Sequence, residues 1–93
     1  MIKHYDIQVF GRVQGVWFRK YTEQTAQALK LTGWVRNEAE GSVRISVEGL
    51  EEQLEKFMKW CHEGSPEAEV DGVLIQLSSA VGWKDFRIMD SDS

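Results

Sequence analysis

Cysteine and histidine are scarce in this chain of 93 residues. The single cysteine, Cys61, excludes an internal disulfide, and its apolar position in a helical pattern predicts a buried thiol. The two histidines are His4 and His62, and no Cys or His residues stand at the spacing typical of zinc ligands. We therefore expect neither a metal site nor a cofactor.

Long apolar runs are also missing. The first ten residues, MIKHYDIQVF, alternate between polar and apolar side chains, which fits neither a signal peptide nor a membrane span. Without a targeting segment or a disulfide, the expected location is the cytoplasm, with no membrane contact. A chain of this length cannot enclose two hydrophobic cores, so we expect residues 1–93 to form one domain with its core at about 4–90.

Basic residues are fewer than acidic ones, and the formal net charge is -4. This balance argues against nucleic acid as a partner. The charges are unevenly distributed, however: residues 1–46 carry seven Lys or Arg against four Asp or Glu, whereas residues 47–93 carry four against eleven. An anionic ligand is therefore expected at the N-terminal half of the chain.

The apolar residues that are present follow two periods. Alternation with a period of two predicts strands at 3–10, 34–37, 43–47, 73–77 and, more briefly, 86–88. Spacings of three and four predict helices at about 18–29 and 50–61. This order predicts an α+β, ferredoxin-like sandwich: a βαββαβ unit plus a short C-terminal strand, with two helices on one face of an antiparallel sheet. Residues 90–93 are expected to form a frayed polar tail.

This topology brings two distant segments together. The first and second strands should run parallel, with the third strand between them. The loop after Phe10 and the residue Asn37 should then lie at the same end of the sheet, roughly 10 Å apart. Side chains from both could meet around a small ligand.

The segment from Gly11 to Arg19, GRVQGVWFR, joins the first strand to the first helix. A helix start offers unpaired N–H groups, the two glycines let loop amides converge, and Arg19 adds a planar fork for two phosphate oxygens. These features favour a phosphate site over a plain glycine-bearing connection with a solvated arginine, although both remain open. Neither a Walker A loop nor a dinucleotide fingerprint is present.

Two motifs resemble those of a known family. GRVQGVWFR at 11–19 is similar to the first signature of the acylphosphatases, and GWVRN at 33–37, followed by GSV at 41–43, is similar to the second. GSP at 64–66 and VD at 70–71 resemble the late loop of that family. The likeness extends over about residues 4–90.

The resemblance implies the hydrolysis of acyl phosphates to carboxylate and inorganic phosphate, without a metal and without a phosphoenzyme. We also expect the protein to be a monomer. It implies that Arg19 binds the phosphate and that Asn37 positions the attacking water. It also implies a phosphate-binding loop whose backbone amides cradle the phosphate, formed by Gln14, Gly15, Val16, Trp17, Phe18 and Arg19. Phe18 and Trp34 are expected in the core, and Trp17 is expected to face either solvent or the acyl group.

Three points qualify this interpretation. Glu38 stands where the family often has threonine, and its carboxylate would weaken substrate binding unless it points away. A non-catalytic anion-binding or regulatory domain of the same fold is the main alternative. An RNA-binding module is less favoured, because the residues 42, 44, 46 and 48 on one face of the central strand include no aromatic side chain.

Overall fold

The computed structural model describes residues 1–90, so the predicted tail lies outside the described residues except for Asp90. Five strands and two helices follow one another along the chain. They are β1 (Ile2–Arg12), α1 (Phe18–Ala28), β2 (Thr32–Asn37), β3 (Val43–Leu50), α2 (Glu51–Cys61), β4 (Glu69–Ser78) and β5 (Phe86–Ile88). No helix within residues 1–90 is long and apolar enough to cross a membrane.

The five strands form one sheet in the order β4-β1-β3-β2-β5. β3 is antiparallel to both of its neighbours, so β1 and β2 run parallel to each other on either side of it. β4 extends the sheet antiparallel to β1, whereas β5 joins β2 in parallel. The predicted ferredoxin-like sandwich is confirmed, and the short fifth strand makes its sheet a mixed one.

The core lies between the sheet and the two helices. Alternate strand residues such as Ile7, Val35 and Ile45 point to this side and are almost fully buried. Phe18 of α1 and Phe57 of α2 meet them from the other side, and Cys61 is completely buried among them. Burial raises the pKa of the Cys61 thiol, because the thiolate would be desolvated there. The prediction of a buried cysteine is therefore confirmed.

β1 continues two residues beyond its predicted end, and a glycine makes this possible. The pairing of β1 with β4 shifts register between Phe10 and Gly11, after which Gly11 pairs with Val70. Gly11 has φ 124°, and a β-carbon there would lie 2.2 Å from the carbonyl oxygen of Glu69. Only glycine allows this close approach. The predicted loop therefore begins after Arg12, and β4 begins at Glu69 instead of residue 73.

The sheet face opposite the helices is partly covered by residues 79–83, which we call the strap. The side chain of Glu48 on β3 accepts hydrogen bonds from the N–H groups of Val81 and Gly82 in the strap. His4 on β1, the register partner of Glu48, donates through Nδ1 to the carbonyl oxygen of Ser79 at 2.6 Å. The ring of Trp83 packs edge-on against His4, with 5.0 Å between the centroids. The polar side chains of His4 and Glu48 on this face are therefore buried.

Candidate active site

The loop between β1 and α1, together with the end of β2, encloses a cavity of about 440 Å³. Both predicted motifs contribute to its walls, which are lined by Val13, Gly15, Trp17, Phe18, Arg19, Lys20, Asn37 and Ile88. The parallel arrangement of β1 and β2 across β3 explains why they meet, because both strands end at the same edge of the sheet. The predicted convergence of the loop and Asn37 is thus present in the structure.

Arg19 lies in the first turn of α1 and is half-buried in the cavity wall. No side-chain hydrogen bond or ion pair involves it within residues 1–90, unlike Arg36 and Arg44, which both pair with Glu38. A partly buried guanidinium without a carboxylate partner is free to bind an anion from solution.

The N-terminus of α1 adds to the positive character of the cavity. The first hydrogen bond of the helix joins the Tyr21 N–H to the Trp17 carbonyl oxygen at 3.1 Å, so the amides of residues 18–20 precede it. Trp17 is the N-cap residue, but no side chain caps the helix, and its first turn contains no acidic residue. By contrast, α2 begins with Glu51 and Glu52. The unpaired amides and the helix dipole therefore favour an anion at the start of α1.

Asn37 is the last residue of β2 and lies on the helix side of the sheet, paired in register with the buried Val43. Its Oδ1 atom is buried and has no hydrogen-bond partner among residues 1–90. Buried polar oxygens are rarely left unpaired in folded proteins, so an unpaired one in a cavity wall indicates a position for water or ligand.

The loop is tied to its surroundings at two points. The Gln14 Nε2 atom donates to the carbonyl oxygens of Glu38 at 2.8 Å and Ser42 at 2.9 Å, which join the loop to the turn after Asn37. From the other side, the Ser65 hydroxyl donates to the carbonyl oxygen of Val16 at 2.7 Å. These bonds fix the loop relative to Asn37.

The predicted phosphate-binding residues divide into two groups. Gly15, Trp17, Phe18 and Arg19 line the cavity, whereas Gln14 and Val16 do not. The Gln14 side chain fixes the turn, and that of Val16 is buried in the core. The cradling role of the backbone amides from 14 to 19 stays a prediction.

Three wall residues were not predicted: Val13, Lys20 and Ile88. Val13 lies within the first motif and Lys20 directly follows it, so their positions in the sequence could have suggested them. Ile88 comes from β5, and its place at the cavity depends on the parallel pairing of β5 with β2. Nothing local in the sequence indicates that pairing.

The carboxylate of Glu38 points away from Asn37. Successive strand residues face opposite sides of a sheet, and Glu38 lies with Arg36 and Arg44 on the face opposite the helices. Its two oxygens accept hydrogen bonds from the Nε atoms of Arg36 at 2.8 Å and Arg44 at 3.1 Å. The hydrogen bond from Arg36 is the main cause that lowers the pKa of Glu38, against the opposing effect of burial. The carboxylate is therefore already neutralised, on the other side of the sheet from the cavity.

Trp34 is not in the core, contrary to expectation. It shares the face of Glu38, is half-buried, and lies 5.0 Å from the Arg36 guanidinium carbon. Val35 takes the core position instead, because adjacent residues of a strand cannot both face the helices. Phe18, the other predicted core residue, is 1% exposed.

The histidines lie outside the cavity wall. His4 is buried beneath the strap on the opposite face of the sheet, and His62 is exposed after α2. No group of three or more His, Cys, Asp or Glu side chains in the described part of the chain is placed to hold a metal ion.

Comparison with known proteins identifies the family. The family model described as Acylphosphatase matches residues 5–88. The chain belongs to the acylphosphatase family.

Individual acylphosphatases agree with this assignment. The chain is 47% identical to the acylphosphatase of Marinobacter nauticus over 87 residues, which cover 92% of this chain and 95% of that one. The acylphosphatase structure from Bacillus subtilis superposes with a TM-score of 0.91 at 39% identity and covers 96% and 99% of the two chains. That from Coxiella burnetii gives 0.92 at 33% identity and covers 95% and 93%. The predicted family and acylphosphatase hydrolase are confirmed, and the alternative of a non-catalytic domain is not favoured.

Proposed function

We propose that this acylphosphatase hydrolyses acyl phosphates in the cavity between the loop and β2, with Arg19 and loop amides binding the phosphoryl group and Asn37 positioning water. The observation that supports these roles most directly is that two groups without binding partners lie in the same cavity wall. Arg19 lacks a carboxylate partner within residues 1–90, and the Oδ1 atom of Asn37 lacks a hydrogen-bond donor there.

The phosphoryl group needs positive charge on several sides. In phosphoryl transfer, negative charge spreads over the three equatorial oxygens of the transition state. The planar guanidinium of Arg19 can donate to two of these oxygens, and N–H groups at the start of α1 can donate to others. Oriented donors of this kind stabilise the transition state because they need no reorganisation during the reaction.

Water has to approach the phosphorus in line with the bond that breaks. An O–H of this water would donate to the Oδ1 atom of Asn37, leaving an oxygen lone pair for phosphorus. The water oxygen forms the new P–O bond, while the bond to the acyl oxygen breaks and its electron pair leaves with the carboxylate. Asn37 is not a base, so we propose that the released proton moves to a phosphate oxygen.

The good leaving group explains why so few side chains suffice. A carboxylate departs without protonation, so this proposed reaction requires no general acid. Independence from metals stays a prediction, which a chelator tests directly. The expected cytoplasmic location, the monomeric state and the absence of nucleic-acid partners also stay predictions.

The proposed roles predict different defects for two variants. Arg19→Ala should lower kcat by roughly 10²–10³-fold and also weaken inorganic phosphate binding, since Arg19 acts on both bound phosphate and the transition state. Asn37→Ala should lower kcat but retain phosphate affinity, because its contact is made through the attacking water. Benzoyl phosphate hydrolysis with a chelator present, and calorimetry with phosphate, measure the two effects. Arg87→Ala serves as a matched control, because Arg87 is exposed and lies outside the cavity wall.

Two results would contradict these roles. A folded Arg19→Ala protein with more than half of normal activity would remove Arg19 from catalysis. If Asn37→Ala loses phosphate binding as completely as Arg19→Ala does, Asn37 is a phosphate ligand or a support for the loop.

A further inference from the structure

The loop residue Trp17 has a backbone conformation that needs support from its neighbours. Its φ is 62° and its ψ is 19°, in the left-handed region, and its side chain is 73% exposed. Left-handed conformations are uncommon for bulky residues. Because an exposed indole packs against little, the contacts that hold Trp17 in this conformation have to come from the residues on either side of it.

The sign of φ alternates along this part of the loop. Gly15 and Trp17 have φ of 73° and 62°, whereas Val16 and Phe18 have negative φ. Alternation between right-handed and left-handed conformations turns successive N–H groups toward one side, which forms a concave nest for an anion. The N–H of Trp17 donates to no acceptor within residues 1–90. It is therefore available to a phosphate oxygen.

Ser65 binds the peptide group that carries this N–H. It lies between α2 and β4, is 2% exposed, and its hydroxyl donates to the carbonyl oxygen of Val16 at 2.7 Å. The peptide bond between Val16 and Trp17 is trans, so its carbonyl oxygen and its N–H point in opposite directions. Trp17 lines the cavity, whereas Ser65 does not. The carbonyl oxygen held by Ser65 therefore turns the N–H of Trp17 toward the cavity side.

The residue before Ser65 supports the other side of Trp17. Gly64 has φ 75°, and a β-carbon there would lie 2.6 Å from the Cε2 atom of Phe18. Phe18 is 1% exposed, so its ring has little room to move. Gly64 and Ser65 thus contact the residues directly after and directly before Trp17.

We propose that Ser65 is a positioning residue for the hydrolysis: its hydroxyl fixes the peptide group between Val16 and Trp17 so that the Trp17 N–H donates to the phosphoryl group. This proposal rests on the proposed binding of phosphate by Arg19 and the loop amides. Ser65 lies outside the cavity wall and acts through one peptide group. Its hydrogen bond also polarises that group, which makes the N–H a stronger donor.

The kinetic test removes the hydroxyl and leaves Arg19 and Asn37 in place. In Ser65→Ala, kcat/KM for benzoyl phosphate should fall roughly tenfold, the factor that corresponds to one neutral hydrogen bond. Ser65→Thr keeps a hydroxyl and Ser65→Cys keeps a weak donor, so both should retain more activity than Ser65→Ala.

Ser46→Ala is the matched control. Ser46 is also 2% exposed, and its hydroxyl donates to Asp6 at 2.6 Å on the sheet face opposite the helices. Its loss should lower Tm, as the loss of the Ser65 hydroxyl does, but should leave kcat/KM unaltered. The comparison separates a lower stability from a misplaced donor.

The backbone amide resonance of Trp17 reports its donor directly. In nitrogen–proton correlation spectra of the wild type, inorganic phosphate should shift this resonance. At a temperature well below Tm, the phosphate-induced shift should be largely lost in Ser65→Ala at saturating phosphate and retained in Ser46→Ala. A role of Ser65 in stability alone would leave the shift unaltered in both variants.

Three results would overturn the proposal: wild-type kcat/KM in folded Ser65→Ala, equal losses of kcat/KM in Ser65→Ala and Ser46→Ala, or an unaltered phosphate-induced shift of Trp17 in Ser65→Ala. Failure of the proposed function looks different, because phosphate would then shift no amide resonance of residues 15–20 even in the wild type.

Discussion

Asn37 and Glu38 are adjacent in the chain and have opposite surroundings. Asn37 faces the helix side of the sheet and leaves its Oδ1 atom unpaired, whereas Glu38 faces the other side and binds two arginines. The pleat of β2 is the cause, since side chains alternate between the two faces. An acidic residue can therefore follow the proposed water-binding asparagine without bringing its charge into the cavity.

The ion pairs of Glu38 should make stability depend on pH. Because its pKa is lowered in the folded protein from the ordinary value of 4.5, Glu38 stabilises the fold above that value. The contribution is lost as pH falls through the lower pKa of the folded state. Glu38→Gln imitates the protonated side chain, so the difference in unfolding free energy between wild type and variant should be largest near pH 7 and vanish in acid. Urea unfolding at a series of pH values measures it.

Glu67→Gln provides the control for this series, because Glu67 is exposed and its substitution should give a small difference at every pH. Since Glu38 points away from the cavity, Glu38→Gln should also leave KM close to that of the wild type. A constant stability difference from pH 7 to pH 3 would show that the ion pairs do not stabilise the fold.

Among the structural elements, the strap covers part of the sheet face that carries polar side chains, and it buries some of them. Glu48 is 2% exposed and His4 is 4% exposed, and both bind backbone groups of residues 79–82. The Nε2 atom of His4 lies 2.7 Å from the Ser46 hydroxyl, which donates to Asp6 at 2.6 Å. This network gives the strap specific partners on β1 and β3.

Removing Glu48 should release the strap. Glu48→Ala removes the charged acceptor of the Val81 and Gly82 N–H groups. Hydrogen bonds to charged groups contribute roughly 1.5–3 kcal/mol each to the unfolding free energy. We expect lower stability and, in hydrogen exchange, faster exchange of these two amides than of amides in β3. Glu63→Ala is the control, because Glu63 is exposed. Equal exchange of Val81 and Gly82 in variant and wild type would show that Glu48 does not hold the strap.

Prediction from the sequence succeeded where the spacing of the apolar residues shows which side of a strand faces the core. The alternation of Val43, Ile45 and Val47 identifies β3, because only one face of that strand meets the helices. The same rule could not choose between Trp34 and Val35, since both are apolar and adjacent. It also missed the burial of His4 and Glu48, because the strap that covers them has no periodic pattern and its position depends on tertiary contacts.

For the whole molecule, the residues of the candidate site also fall into those that the sequence could predict and those that it could not. Two motifs separated by 13 residues indicated Arg19 and Asn37, and the sheet order brought both to one cavity. Ile88 could not be predicted as a wall residue, because it reaches the cavity only through the parallel pairing of β5 with β2. Residues placed by a local motif were thus predictable, and those placed by long-range pairing were not.

Phosphate binding should stabilise the whole molecule, because the cavity joins elements that are distant in the chain. The walls come from the loop after β1, from α1, β2 and β5, and they exist together only in the folded state. A ligand that binds the folded state alone raises the unfolding free energy by RT ln(1 + [L]/Kd), about 2.7 kcal/mol at a hundredfold excess over Kd. For a domain of this size, each kcal/mol raises Tm by roughly 4–8 °C. Inorganic phosphate should therefore raise Tm progressively with its concentration.

The melting experiment needs a control for ionic strength, since salt also changes the energies of surface ion pairs. Sodium chloride at matched ionic strength should give a much smaller shift. In Arg19→Ala the phosphate-dependent shift should be largely lost, whereas Asn37→Ala should retain it, because Asn37 is assigned to the water. If millimolar phosphate and chloride shift the wild-type Tm equally, the start of α1 is not an anion site. The unpaired Arg19 and the uncapped helix amides would then need a different explanation, and the phosphoryl group would have to bind elsewhere in the cavity.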